Sequence, residues 1–183
     1  MEIPKKFTSE QIKQIKNFVW ICPPEYIPGY FSVNNNLSVV KDQTVWIFKE
    51  VTDLGYVSGK SYALVNGQYT ESFVTGHISP ISGSWYFNFN NVKKNQTILG
   101  RGQFYYDDKT NKPWFQCQLN QQLGYVSSIG DTNIDIWTYY LHNAAAVPIT
   151  SNDPFYFELP GSDQNGESLT SVPEFIIRCK NNS

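Results

Sequence analysis

Apolar and polar residues alternate along several short runs of this chain. In Ser84-Trp85-Tyr86-Phe87-Asn88-Phe89-Asn90, the residues Trp85, Phe87 and Phe89 fall on one side and Ser84, Tyr86, Asn88 and Asn90 on the other. Phe115, Cys117 and Leu119 oppose Trp114, Gln116, Gln118 and Asn120 in the same way, and Phe155, Phe157 and Leu159 oppose Tyr156 and Glu158. A period of two is the signature of a strand with one buried face. From Ile98 to Tyr106, Ile98, Phe104 and Tyr106 share a side with Gly100 and Gly102, while Leu99, Arg101, Gln103 and Tyr105 take the other. Two glycines on one face allow a sharp bend or the close approach of another backbone. With Asn, Asp, Gly and Pro clusters as boundaries, strands are expected near 29–33, 44–51, 60–65, 68–75, 84–90, 97–106, 113–119, 133–141, 154–159 and 174–179.

The one expected helix is near the start. Thr8 and Gln11 have the spacing of a capping box, Phe7 can staple onto Ile12, and Ile12, Ile15 and Val19 fall on one face. Cys22-Pro23-Pro24 and Pro28-Gly29 stop it. The chain 1–183 thus reads as one domain, with an N-terminal helix at 8–20 and an all-β body over 29–180: an antiparallel barrel or a β-sandwich of about ten strands. Leu54-Gly55-Tyr56-Val57-Ser58 recurs as Leu123-Gly124-Tyr125-Val126-Ser127, either an internal duplication or two strand-exit turns of similar chemistry.

Composition changes the picture by excluding partners. The formal net charge of -2 offers no field for nucleic acid or anionic lipid, and no apolar run approaches a transmembrane length. No signal-peptide core follows Met1, so the chain reads as soluble and cytoplasmic unless a leader has been removed. Charged residues are only 16 %, and the polar surface comes instead from 17 Asn and 11 Gln beside 29 aromatics. Cys22, Cys117 and Cys179 lack metal-ligand spacing and read as small buried residues, or as one disulfide and a leftover thiol.

Candidate chemistry is sparse. His77 and His142 are the two histidines, neither in a nucleophile motif, and Asp107-Asp108 reads as a solvated hairpin loop. Asp131-x-Asn133-x-Asp135 alternates oxygen ligands but lacks the remainder of a calcium loop, and Gly100-Arg101-Gly102 lacks a phosphate cradle's spacing. No metal and no cofactor is expected. The second face of the strands is richer: Tyr86, Asn88, Arg101, Gln103, Tyr105, Trp114, Gln116, Gln118 and Trp137, with Asp135 and Tyr139 beside them. Flat rings stack on apolar patches of a ligand while amides both donate to and accept from its hydroxyls.

The expected function is therefore a non-enzymatic binding module for a carbohydrate or small polar ligand, with Trp114, Trp137 and Tyr105 clustered on one patch. The alternatives are a β-barrel hydrolase or isomerase with His77 or a carboxylate as general base, and a protein-interaction or pore-forming domain. A homo-oligomer is compatible with each. A helix leading into a strand meander resembles in outline the calycin architecture of lipocalins and avidins, and residues from Thr75-Gly76 to Phe104 are loosely similar to avidin repeats. The Gly-x-Trp signature of those families belongs near the first strand, whereas Gly83-Ser84-Trp85 lies in mid-chain. The resemblance extends to architecture alone and carries over no site residue.

Overall fold

The computed structural model describes residues 7–31, 36–65, 67–93, 96–107, 109, 112–123, 135–139, 142–149, 155–157, 159 and 169–182. Helix α1 (Ser9–Lys13) tightens into a 3-10 turn over Gln14–Asn17 and leads into β1 (Phe18–Phe31). Strands β2 (Asn36–Val51), β3 (Tyr56–Val65), β4 (Gln68–Ile78), β5 (Ser84–Asn91), β6 (Gln96–Asp107) and β7 (Lys112–Leu123) follow. Then come β8 (Asp135–Tyr139), β9 (His142–Pro148), a small ribbon of β10 (Phe155–Tyr156) with β11 (Leu169–Thr170), and helix α2 (Val172–Asn182).

Strands β1 to β7 are successive antiparallel neighbours. The next position in the wall is shared: β8 joins Asn120–Leu123 of β7 to Gly29–Phe31 of β1, and β9 joins Trp114–Cys117 to Phe18–Ile21. The sheet thus returns to β1 as an up-and-down barrel of eight positions, and the sandwich alternative falls away. At this strand number the interior is about wide enough to be filled by side chains or to hold one small ligand.

One end of the interior is filled with rings. Trp20, Trp46, Trp85, Phe87, Phe104 and Phe115 are all buried, with Trp20–Phe115 and Trp85–Phe87 ring centroids each 4.4 Å apart and Trp46–Trp85 5.9 Å apart. Helix α1 stoppers this end. Its capping box forms as expected, Ile12 and Ile15 are buried in the ring cluster, and the Trp20 indole donates to the Ile15 carbonyl at 3.0 Å. Further along, the inward positions become small and polar: Thr44, Ser61, Ser72 and Asn91, with the Thr44 hydroxyl donating to Asp42 at 3.0 Å.

A second core lies outside the wall. Val19, Ile21, Val45, Tyr62 and Leu64 point away from the ring cluster and are covered by Phe157, Leu159 and the α2 residues Val172, Phe175 and Cys179. Strands β1 to β3 are therefore apolar on both faces, whereas β5 and β6 keep the clean alternation of a sheet that meets water on one side.

Four expectations need correction. The helix expected over 8–20 ends by Asn17, and Val19, assigned to its buried face, belongs to the outer core. Strand β1 starts at Phe18 rather than 29, and its Pro23-Pro24 pair sits where the pairing with β2 shifts between Cys22 and Glu25, a bulge that a missing N–H tolerates. The strand expected at 154–159 is only Phe155–Tyr156. The strand expected at 174–179 is helix, because Val172, Phe175 and Cys179 recur with helical spacing onto an apolar wall. Cys22 and Cys179 are buried thiols in the inner and outer cores respectively, so they do not pair with each other.

Candidate open-face site

Helix α2 covers the outer surface on one side of the barrel, leaving the outward faces of β5 and β6 and the adjoining ends of β3 and β4 open. Pairing register brings Tyr56, His77, Tyr86 and Arg101 into one cross-strand row, with the Gln118 backbone next in line. Strand spacing makes this row about 14 Å long from Tyr56 to Arg101. Tyr56 is 58 % exposed and Tyr86 50 %, and the Tyr56 and His77 rings are 5.0 Å apart. The parallel row is Ser58, Thr75, Asn88 and Leu99.

The turn after β2 sets one end of the row. Gly55 takes φ of 85°, and a Cβ there would lie 1.9 Å from the Ile78 carbonyl oxygen, so the turn presses directly on β4. His77 Nε2 lies 2.9 Å from the Leu54 carbonyl oxygen. A carbonyl only accepts, so Nε2 carries the proton and the imidazole ties the turn to the sheet. This fixes the ring in the row beside Tyr86.

The expected site residues divide by place. Tyr86, Asn88, Arg101 and Tyr105 face outward as the alternation requires, and Tyr105 stacks on Trp114 with centroids 4.2 Å apart and planes at 14°. Gln116 is half-buried. Gln103 serves the fold: its amide nitrogen donates to the Ser82 carbonyl and to that of Phe104, holding the β4–β5 turn against β6. The Trp137 side chain, on which the expected patch with Trp114 and Tyr105 depends, lies outside the described residues. Its backbone pairs with Gln121, seven residues along β7 from Trp114. The side chains of Gln118, Trp137, Asp135, Tyr139 and His142 lie outside the described residues, as do Asp131, Asn133 and the second Leu-Gly-Tyr-Val-Ser copy beyond Leu123.

Sequence reading missed Tyr56, Phe73 and the row itself. Phe73 is 54 % exposed beside Lys60, whose ammonium lies 5.2 Å from its ring centroid and 2.6 Å from Glu71. Tyr56 was reachable by extending the β3 alternation back from Lys60 to the turn signal Asp53-Leu54-Gly55. The row was not reachable, since it depends on the registers of four strands.

Charge on this face is thin. The outward positions of β5, and those of β6 from Thr97 to Tyr105, hold one charged residue, Arg101. Among the described residues no group of three or more His, Cys, Asp or Glu could hold a metal ion, and no helix is long and apolar enough to cross a membrane. Comparison with protein-family models, curated proteins and solved structures finds no match. Fold and surface together define an eight-position antiparallel β-barrel, filled with aromatic rings at one end and carrying an exposed aromatic and amide face.

Proposed function

We propose that this protein is a non-enzymatic binding module whose outer β4–β7 face takes a carbohydrate or small polar ligand. The observation that carries this reading is the exposed row of Tyr56, His77, Tyr86 and Arg101, with Asn88 beside it and the Tyr105–Trp114 stack further along the sheet. Rings left half-exposed on a sheet offer apolar area that costs little side-chain entropy to order, and the neighbouring amides match hydroxyls in both hydrogen-bonding senses. The ring-filled end of the barrel favours an outer platform over an enclosed ligand there.

The enzyme alternative draws on His77, but its Nε2 is engaged with the Leu54 carbonyl oxygen at 2.9 Å, which ties the imidazole to the turn. Binding is the better supported use. A glycan array probed with the protein and its Tyr86→Ala and Trp114→Ala variants, each checked for an unchanged near-ultraviolet circular dichroism spectrum, tests it. We expect reproducible glycan binding that falls about tenfold or more in Tyr86→Ala. A blank array, or binding indifferent to both substitutions, overturns the reading and turns attention to protein partners of the same exposed rings.

A further inference from the structure

We propose that the barrel interior beyond the ring cluster is a second, enclosed binding site. It takes one small uncharged molecule with an apolar body and an amide head, the head held by Ser61 and Ser72. The site lies on the inner side of the wall and does not depend on the carbohydrate reading of the outer face.

Ser61 and Ser72 stand directly opposite one another on β3 and β4, on the same strand faces as the inner-core residues Val57 and Val74, so both point into the barrel. Each is only 6 % exposed, and neither hydroxyl has a hydrogen-bond partner among the described residues. A hydroxyl buried without a partner costs stability that alanine in its place does not. Directly opposed strand residues have Cβ atoms about 5 Å apart, so the two hydroxyls are placed to converge on one oxygen of a bound molecule. The neighbouring positions suit the remainder of that molecule. Trp46 stands next to Ser61 in the same cross-strand row, and the Trp46 and Phe89 ring centroids are 5.5 Å apart, which gives the site an aromatic floor. The row beyond is Thr44, Ala63 and Thr70, all small, where the other half of the barrel carries rings. A barrel of eight positions is wide enough to hold one small ligand where small side chains face inward. Val65 and Ile98 pack on the inner cluster yet are only half-buried, and they supply apolar walls. None of these described residues ionises, and an ion enclosed among them would lose its hydration without a counter-charge, so the ligand is neutral. Asp42 already accepts from the Thr44 hydroxyl and stands four residues along β2 from Trp46, about 13 Å from the hydroxyl row.

The test titrates butyramide and benzamide, with toluene as the control lacking a polar head and benzoate as the charged one, into isotope-labelled protein while backbone amide shifts are followed by NMR. The same titrations are run on the double variant Ser61→Ala/Ser72→Ala and on Tyr86→Ala, and thermal unfolding is measured without any probe. The expected result is saturable shifts centred on Ser61 and Ser72 with at least one of the amides, and weaker binding of toluene and benzoate. Amide binding should fall about tenfold or more in the double serine variant and stay unchanged in Tyr86→Ala. The double variant should also unfold at a temperature no lower than the parent's, because it loses two unpartnered hydroxyls, an outcome opposite to that of removing hydroxyls that serve the fold. No saturable shift with either amide would mean that the space holds water alone and would overturn the proposal. Shifts centred elsewhere, toluene or benzoate bound as tightly as the amides, or amide binding undiminished in the folded double variant would overturn it equally. A double variant that unfolds earlier or fails to fold would show that the hydroxyls serve the fold, and the assignment falls. A blank glycan array has no bearing on this site, and its failure leaves the outer-face reading standing.

Discussion

Gly102 illustrates how a single missing side chain organises this barrel. Its partner across the ladder to β5 is Trp85, whose indole nitrogen donates to the Gln116 carbonyl at 3.1 Å on the far side of β6. A Cβ on Gly102 would lie 1.8 Å from that carbonyl oxygen and 2.9 Å from the indole. The indole reaches across β6 only because nothing stands there, and β7 closes in over the same gap. Alanine at this position must push the Gln116 backbone outward, and backbone cannot yield as a flexible side chain can. Gly102→Ala should therefore destabilise the protein by about 3 kcal/mol, at the upper end for overpacking a filled core. Urea unfolding followed by tryptophan fluorescence measures it as a lowered midpoint at unchanged slope. A midpoint equal to that of the parent would mean that the sheet bends to accommodate the methyl group.

At the scale of elements, helix α2 is where local pattern and tertiary demand were hardest to separate. Phe175-Ile176-Ile177 is an apolar run of one aromatic and two β-branched residues, and by propensity it reads as a strand. The opposing signals were present: Ser171 and Glu174 at capping distance, with the Ser171 hydroxyl accepting from the Glu174 amide at 3.3 Å, and Glu174 four residues before Arg178, paired at 3.0 Å. What decides between them is the apolar outer face of β2 to β4, which a segment in isolation does not reveal. The early end of the first helix has a similar origin, since Trp20 must enter the barrel. Outward placement of Tyr86, Asn88, Arg101 and Tyr105 was legible because alternation is a local property. Their assembly with Tyr56 and His77 was not, because register comes from turns and pairings far apart in the chain.

The docking of α2 carries a pH dependence. Burial, with Glu71 adding to it, pushes the Cys179 thiol up to about 12, and burial first, then Glu71 and Cys179, pushes the Tyr62 hydroxyl up to about 12. Both native values lie above the ordinary 9.0 and 10.0. The unfolded or undocked chain therefore loses these protons first, so the stabilisation is complete below pH 9 and is lost as pH rises from there through 12. Modification by a thiol reagent, located by mass spectrometry, should spare Cys179 at pH 8 and reach it progressively above pH 10. Modification of Cys179 at pH 8 at the rate of an exposed thiol would show that α2 does not protect it.

The whole molecule consists of one wall with a core on each side. The inner ring cluster contains no residue of α2, and the outer cluster contains none of Trp46, Trp85, Phe87, Phe104 or Phe115. The two meet through β1 to β4 and through β9, whose Ala146 packs on the inner cluster and Val147 on the outer, successive residues facing alternately inward and outward. On β3 and β4 the outward face itself changes character along the strand: Tyr62, Leu64 and Tyr69 lie under α2, whereas Tyr56, Phe73 and His77 lie in the open, with the Lys60–Glu71 pair between. Ending the chain after Thr170 should thus uncover the outer core without touching the ring-filled end or the proposed binding row. The expected truncated protein keeps the near-ultraviolet circular dichroism of Trp20, Trp46 and Trp85, binds the dye ANS and self-associates through Val45, Tyr62 and Leu64, yet retains whatever glycan binding the full chain has. Collapse of the tryptophan signal in the truncated chain would instead mean that the barrel wall needs apolar cover on both faces to hold its shape. The two cores would then form a single cooperative unit, and α2 would be a condition for the binding face to exist rather than a cover on the opposite side of it.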